Sequence, residues 1–177
     1  IIEKLEIKKD LYEKIEPYRK TGSLISSNTS GIPINLLTEG RSEDFKKHFC
    51  GTHFFNPPRY LRLLEVIPTH DTDPEVTRFM MSFGAEFLGK QTVLCKDTPA
   101  FIANRIGVVS ISKAFELTQR LGLSVQVVDK LSGPALGRPK SGTFRLTDIV
   151  GLDTAVMVIR DLQKNCPGDK HVQQLNL

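Results

Sequence analysis

The chain has 177 residues, of which 40% are hydrophobic and 25% are charged, a composition typical of a globular protein. The formal net charge is +4, and basic and acidic residues alternate along most of the chain, so the sequence gives no argument for nucleic acid as a partner. No apolar run approaches the roughly 20 residues that cross a bilayer, and no membrane partner is expected. The three cysteines, at positions 50, 95 and 166, are far apart and odd in number, which predicts reduced thiols and a cytoplasmic protein.

The first half of the sequence alternates between helical and strand patterns. Ile7, Leu11 and Ile15 recur every four residues and predict a helix over residues 3–19. Asp73-Pro74 combines a capping aspartate with a proline at the first helical position, which predicts a second helix over residues 74–88. Short apolar segments bounded by polar turns predict four strands, over residues 23–27, 49–55, 61–67 and 91–95.

After Cys95 the sequence shows helical patterns alone. Thr98-Pro99 is predicted to open a long helix that ends at about Leu121, and two further helices are predicted over residues 124–132 and 154–164. Strands that alternate with helices, followed by helices alone, predict an α/β unit followed by an all-α unit. We expect the two domains to occupy residues 1–96 and 97–177.

His53 and Glu65 are the residues whose surroundings indicate chemistry. His53 lies at the polar end of a predicted strand, and Glu65 interrupts an otherwise apolar one. A buried carboxylate must be paired, and a histidine on a neighbouring strand is the obvious partner. A carboxylate bound to one ring nitrogen fixes the tautomer and makes the other nitrogen a better base. Taken singly, each residue is more often a surface group or a satisfied core group.

Residues 53–57 (HFFNP), together with Glu65, resemble the catalytic segment of L-3-hydroxyacyl-CoA dehydrogenases. Three other stretches are similar to motifs of that family in the same order: residues 26–30 (SSNTS), 96–105 (KDTPAFIANR) and 148–153 (DIVGLD). The resemblance covers nearly the whole chain and looks most like the larger bacterial and archaeal versions, which often carry an enoyl-CoA hydratase. It implies the C-terminal part of a Rossmann-like NAD-binding domain followed by an all-α domain.

The resemblance also implies an activity, the NAD-dependent oxidation of L-3-hydroxyacyl-CoA in fatty-acid β-oxidation, and a role for five residues. His53 would take the proton of the substrate 3-hydroxyl, and Glu65 would orient His53. Ser30 would hydrogen-bond the substrate oxygen, and Asn104 would help to hold the reacting groups. Asn28 and Ser30 follow a predicted strand at its carboxyl end, where ligands bind in open α/β sheets, and both are assigned to the cofactor. A homodimer formed through the helical unit is a further expectation from the family.

The glycine-rich fingerprint of a dinucleotide site is absent from the sequence, because no two glycines are separated by a single residue. In the family it would precede Ile1, so we expect the sequence to lack the first half of the NAD-binding domain. Two alternatives stay open: a related dehydrogenase of free hydroxy acids, and a non-catalytic fragment that acts only as a dimerisation module. His48, Cys50 and His53 alternate too loosely for a zinc site, and no metal is expected.

Overall fold

The computed structural model describes residues 1–176, and the chain divides into two compact units, Ile1–Ile102 and Ala103–Leu177. Helices and strands alternate in the first unit, whereas the described part of the second unit contains helices alone. The change from an α/β pattern to an all-α pattern, which the sequence predicts, is therefore confirmed.

The first unit is built on four strands and four α-helices. The strands are β1 (Ile25–Ser27), β2 (Phe49–Phe54), β3 (Leu63–Pro68) and β4 (Gln91–Leu94). The helices are α1 (Leu5–Ile15), which a 3₁₀ turn (Glu16–Tyr18) continues, α2 (Ile34–Thr38), α3 (Glu43–Lys47) and α4 (Pro74–Glu86). Helix α4 begins as predicted, because the Asp73 side chain accepts a hydrogen bond from the backbone N–H of Glu75.

The four strands form one mixed sheet in the order β1-β2-β3-β4. Strands β1 and β2 are parallel, β2 and β3 are antiparallel, and β3 and β4 are parallel. In the antiparallel pair His53 lies directly opposite Glu65. Directly opposed residues of an antiparallel pair project their side chains from the same face, so the register brings these two side chains together.

Helices cover both faces of this sheet. On the face that carries His53, a Cβ added at Gly51 would lie 2.8 Å from Ile34 of α2, so the helix approaches β2 closely. On the other face, a Cβ added at Gly84 of α4 would lie 2.5 Å from the side chain of Thr92. Both contacts need a residue without a side chain. The His53 face also buries an aromatic group in which the Phe49 ring meets those of Tyr12 and Phe45.

The second unit contains five α-helices in its described part. They are α5 (Ala103–Leu121), α6 (Val125–Ser132), α7 (Phe144–Val150), α8 (Leu152–Asn165) and α9 (Lys170–Gln173), with a 3₁₀ turn at Pro134–Leu136. Asp129 of α6 caps the start of α7, since its carboxylate accepts the N–H groups of Phe144 and Arg145. Across residues 1–176, no helix combines the length and the apolar character that spanning a bilayer requires.

The predicted start of the long helix at Thr98-Pro99 is wrong, because α5 begins at Ala103. Ala100 and Phe101 have φ angles of 61° and 49°, which belong to the left-handed region and interrupt any helix. Residues 97–102 instead form a turn, in which the N–H of Phe101 donates a hydrogen bond to the carbonyl of Thr98.

Candidate active site

A histidine–carboxylate pair lies at the centre of the candidate site. The Nδ1 atom of His53 is 2.7 Å from Oε2 of Glu65, and the two residues are 5% and 1% exposed. With Glu65 ionised, its carboxylate can only accept hydrogen bonds, and in that state Nδ1 of His53 carries the hydrogen and donates the bond. The lone pair of the imidazole is then on Nε2, the nitrogen that can act as a base.

The second carboxylate oxygen of Glu65 is also engaged. Oε1 accepts the backbone N–H of Ile102, 3.1 Å away. Cys95 follows β4 two positions after Val93, the register partner of Glu65, so the thiol lies on the same face of the sheet. Burial, with the charge of Glu65 and a hydrogen bond to it, raises the pKa of Cys95 to about 12. The group is therefore a neutral thiol at pH 7 and can donate a hydrogen bond to the carboxylate.

Aromatic rings enclose the imidazole of His53. The Phe55 ring centroid is 4.4 Å from that of His53, and the Phe101 centroid is 5.6 Å away on a tilted ring. Rings at these distances keep water from the imidazole and strengthen its interaction with Glu65, because electrostatic interactions grow as the local dielectric constant falls.

The turn after β1 carries the two residues that the family resemblance assigns to the cofactor. Asn28 uses its Oδ1 to accept the backbone N–H of Phe54, 2.9 Å away, so this turn is bonded to the end of β2 next to His53. The side-chain NH₂ of Asn28 remains as a donor, and the side chains of Asn28 and Ser30 are exposed. The buried Oγ of Ser27, the last residue of β1, has no hydrogen-bond partner within residues 1–176.

These groups fit one end of a nicotinamide nucleotide. The amide of Asn28, the exposed Ser30 and the buried, unpartnered hydroxyl of Ser27 all belong to the carboxyl end of β1, where a carboxamide and a ribose could be hydrogen-bonded. The sequence contains no glycine-rich turn for the pyrophosphate, so the residues of this chain fit the nicotinamide half of NAD and not the adenosine half. In the described part of the chain, no group of three or more potential metal ligands is present.

Glu3 holds the same turn from outside the sheet, and sequence reasoning did not include it in the site. Its Oε1 accepts the hydroxyl of Thr29 and the N–H of Ser30, and its Oε2 is 3.1 Å from the buried ammonium of Lys8. Burial acts to raise the pKa of Glu3, but the bonds from Thr29, Lys8 and Ser30 outweigh it and lower that pKa. Glu3 therefore fixes the turn as an anion.

Asn104 lies in the second unit, as the second residue of α5, and its side chain is half-buried. Its predicted projection towards the reacting groups remains a prediction. Cys95 and the turn over residues 97–102 are parts of the site that sequence reasoning missed. The left-handed backbone of Ala100 and Phe101 gives no signal in the sequence, since neither is a glycine.

Comparison with known proteins assigns the family. Residues 1–98 match the family model of the 3-hydroxyacyl-CoA dehydrogenase NAD binding domain, and residues 101–177 match that of the C-terminal domain. A "Probable 3-hydroxyacyl-CoA dehydrogenase" of Bacillus subtilis is 51% identical over 96% of this chain and 22% of its own length. A protein of the same name from Deinococcus radiodurans is 52% identical over 96% of this chain and 49% of its own length. The crystal structure of (S)-3-hydroxybutyryl-CoA dehydrogenase from Ralstonia eutropha superposes with a TM-score of 0.84 at 28% identity, over 97% of this chain and 59% of that one.

The chain belongs to the 3-hydroxyacyl-CoA dehydrogenase family, a family of oxidoreductases with an NAD-binding Rossmann-like domain and a helical C-terminal domain. The predicted family, fold class and cofactor are therefore confirmed. The chain spans between about a fifth and about a half of the length of the two bacterial relatives described above.

Proposed function

We propose that the protein containing this chain oxidises L-3-hydroxyacyl-CoA to 3-oxoacyl-CoA with NAD, as a step of fatty-acid β-oxidation. The observation that carries the proposal is the buried pair in which His53 Nδ1 lies 2.7 Å from Glu65 Oε2. This arrangement leaves Nε2 as the base that an alcohol oxidation needs. The names of the bacterial relatives support the substrate class.

In the proposed reaction the 3-hydroxyl gives its proton to Nε2 of His53 while its oxygen becomes the ketone oxygen. Bound NAD would supply the acceptor for the hydride of C3. Glu65 stabilises the imidazolium that results, because its carboxylate already accepts a hydrogen bond from Nδ1–H of His53. The low exposure of both residues strengthens this charge interaction, since little water is present to screen it.

We assign supporting roles to three polar residues. Ser30 bonds the substrate oxygen, Asn28 and Ser30 contact the nicotinamide end of the cofactor, and Asn104 helps to hold the reacting groups. The exposed side chains of Asn28 and Ser30 at the carboxyl end of β1 support the first two assignments. We also propose that residues 1–96 serve the cofactor and that residues 97–177 form the substrate and dimerisation domain.

The experiment that tests the function measures NADH oxidation with acetoacetyl-CoA, using the protein expressed from the complete reading frame that encodes this chain. We expect His53→Gln to lower kcat by about 10²-fold or more, because the base is removed. His70→Gln is the matched control, since the side chain of His70 is 73% exposed and belongs to no part of the site. Activity of His53→Gln within about tenfold of wild type would contradict the assignment of the base.

The same assay separates CoA thioesters from free acids. Turnover of acetoacetyl-CoA with none of acetoacetate supports the proposed substrate class. The opposite preference, with NADH binding confirmed, would make the protein a dehydrogenase of free hydroxy acids.

A homodimer formed through the helical unit is also proposed. Its support is the number of exposed apolar side chains in that unit, such as Leu131, Ile149 and Met157, which are 56%, 68% and 57% exposed. Sedimentation of the 177-residue chain tests this, and a monomer at micromolar concentration would contradict it.

Titration of the same chain with NADH, followed by fluorescence, should show no saturable binding at micromolar NADH, because the pyrophosphate-binding turn is not in the sequence.

We further propose a cytoplasmic location, a compartment that keeps thiols reduced. The three cysteines of the chain are all free, which supports the proposal. Retention of the protein with a cytoplasmic marker during cell fractionation would test it.

A further inference from the structure

The turn that follows β4, over residues 97–102, has a strained backbone. Ala100 and Phe101 both adopt left-handed φ angles, 61° and 49°, which side chains other than glycine rarely do. Both residues are buried. Such conformations persist only where the surrounding contacts impose them, and they are common at functional sites. The contacts that impose this backbone lie at the two ends of the turn, at Asp97 and at Ile102.

The first end is fixed by Asp97. Its two carboxylate oxygens accept the N–H groups of Ile34 and Asn35, each at 2.8 Å, so Asp97 caps the start of α2. Helix α2 packs against Gly51 on the face of the sheet that carries His53. The turn therefore begins from a fixed point on the same face as the candidate site.

The other end reaches the catalytic pair directly. The N–H of Ile102 donates to Oε1 of Glu65, while His53 donates to Oε2, so each carboxylate oxygen is held by a different donor. The carboxylate cannot rotate without losing one of these bonds. The Phe101 ring lies against the imidazole of His53, and the Phe55 ring lies nearer still.

We propose that Phe101 is a positioning residue, and that the turn over residues 97–102 sets the orientation of both His53 and Glu65. This inference rests on the proposed function, in which His53 is the base. The described titratable groups that face the imidazole are Glu65, which bonds it, and Cys95, which lies beside the carboxylate. A second contact is needed to fix the tilt of the ring, and the rings of Phe55 and Phe101 both supply one. Only Phe101 belongs to the turn that also holds Glu65, through the N–H of Ile102.

The test reads the tautomer of His53 from the ¹⁵N shifts of its ring in the labelled 177-residue chain, which has four histidines. Wild type should show the proton on Nδ1. We expect Phe101→Leu to move the shifts towards a mixture with the Nε2–H tautomer, because the ring can tilt away from Glu65. Phe45→Leu is the matched control, since Phe45 is buried in the same core cluster and does not contact the pair. It should lower stability without changing the His53 shifts.

A second readout is kinetic and uses the protein from the complete reading frame. We expect Phe101→Leu to lower kcat by about tenfold or more with KM little changed, and Phe45→Leu to change neither. If Phe101→Leu does not fold, Phe101→Met takes its place, because methionine adapts to irregular gaps. Identical His53 shifts in the Phe101 variant and in wild type would overturn the inference. The tautomer measurement needs no turnover. An active His53→Gln enzyme would therefore refute the proposed function, whereas the role of Phe101 in orienting His53 would still be decided by the ¹⁵N shifts.

Discussion

The carboxylate of Glu3 accepts the backbone N–H of Ser30 at 3.0 Å, so a residue that precedes α1 holds the turn that follows β1. The same oxygen accepts the hydroxyl of Thr29, which is fully buried, and Lys8 pairs with the other oxygen. Ser30 is one of the residues proposed to contact substrate and cofactor. The charge on Glu3 therefore bears on the shape of the candidate site.

Replacing Glu3 by glutamine should reduce stability at neutral pH and have little effect in acid. The contacts of Glu3 lower its pKa below the ordinary value of 4.5, so the anion stabilises the fold above that pH. This contribution is lost as the pH falls through the lowered pKa, where folded and unfolded states are both protonated. The side chain is 43% exposed, and solvent screening limits the effect to about 1 kcal/mol or less.

Thermal unfolding of wild type and Glu3→Gln, followed by circular dichroism between pH 7 and pH 3, measures this difference. The lowered pKa values of Glu16 and Asp44 are common to both proteins and cancel in the comparison. Glu6→Gln is the control, because Glu6 is exposed on α1. A difference in Tm that stays constant down to pH 3 would contradict the assigned role of the charge.

Replacing Glu65 by glutamine should leave the fold in place and slow the reaction. Glutamine has nearly the same size, but it cannot stabilise the imidazolium that His53 forms. We expect kcat to fall by about 10²-fold or more. Glu86→Gln, a change at an exposed position of α4, should leave kcat unchanged. The measurement is steady-state NADH oxidation, and a kcat within threefold of wild type would refute the role of Glu65.

The sequence predicts those parts of the fold that depend on local patterns. The residues Asp73-Pro74 predict the start of α4 because a cap and a fixed φ act within one turn of a helix. The pairing of His53 with Glu65 was predictable because a carboxylate in an apolar strand needs a partner. The register that places them opposite each other depends on tertiary structure and was not predictable in detail.

The parts of the fold that the sequence did not predict depend on contacts between segments that are distant in the sequence. The short helices α2, α3, α7 and α9 were not predicted, since each has fewer than eight residues and is too short to show helical periodicity. Thr98-Pro99 resembles a helix start, but the turn that follows is held by Asp97 and Glu65. Tertiary contacts therefore override the local preference for a helix at this point.

Two glycines in helices should respond to alanine in opposite directions. At Gly84 a Cβ would lie 2.5 Å from Thr92 and 2.8 Å from Leu64, so Gly84→Ala should force α4 away from the sheet. We expect a loss of about 1–3 kcal/mol. At Gly107 of α5 a Cβ would meet nothing within 4 Å, and Gly107→Ala should stabilise by about 0.5–1 kcal/mol. Urea unfolding of both variants measures the two free energies. A Gly84→Ala variant that is as stable as wild type would contradict the packing described for α4.

The three thiols should differ in reactivity towards a soluble disulfide reagent at pH 8. Burial raises the pKa of Cys50 to about 11, and burial with the charge of Glu65 raises that of Cys95 to about 12. Both are nearly fully protonated at pH 8, and they are 1% and 2% exposed, so they should not react in the folded chain. Cys166 is half-buried and should react first. We expect one fast-reacting thiol in native wild type, none in native Cys166→Ser, and three in denatured wild type. Absorbance counts the reacted thiols, and mass spectrometry locates them. Modification of Cys95 in native protein at a rate similar to Cys166 would show that Cys95 and the carboxylate beside it are open to solvent.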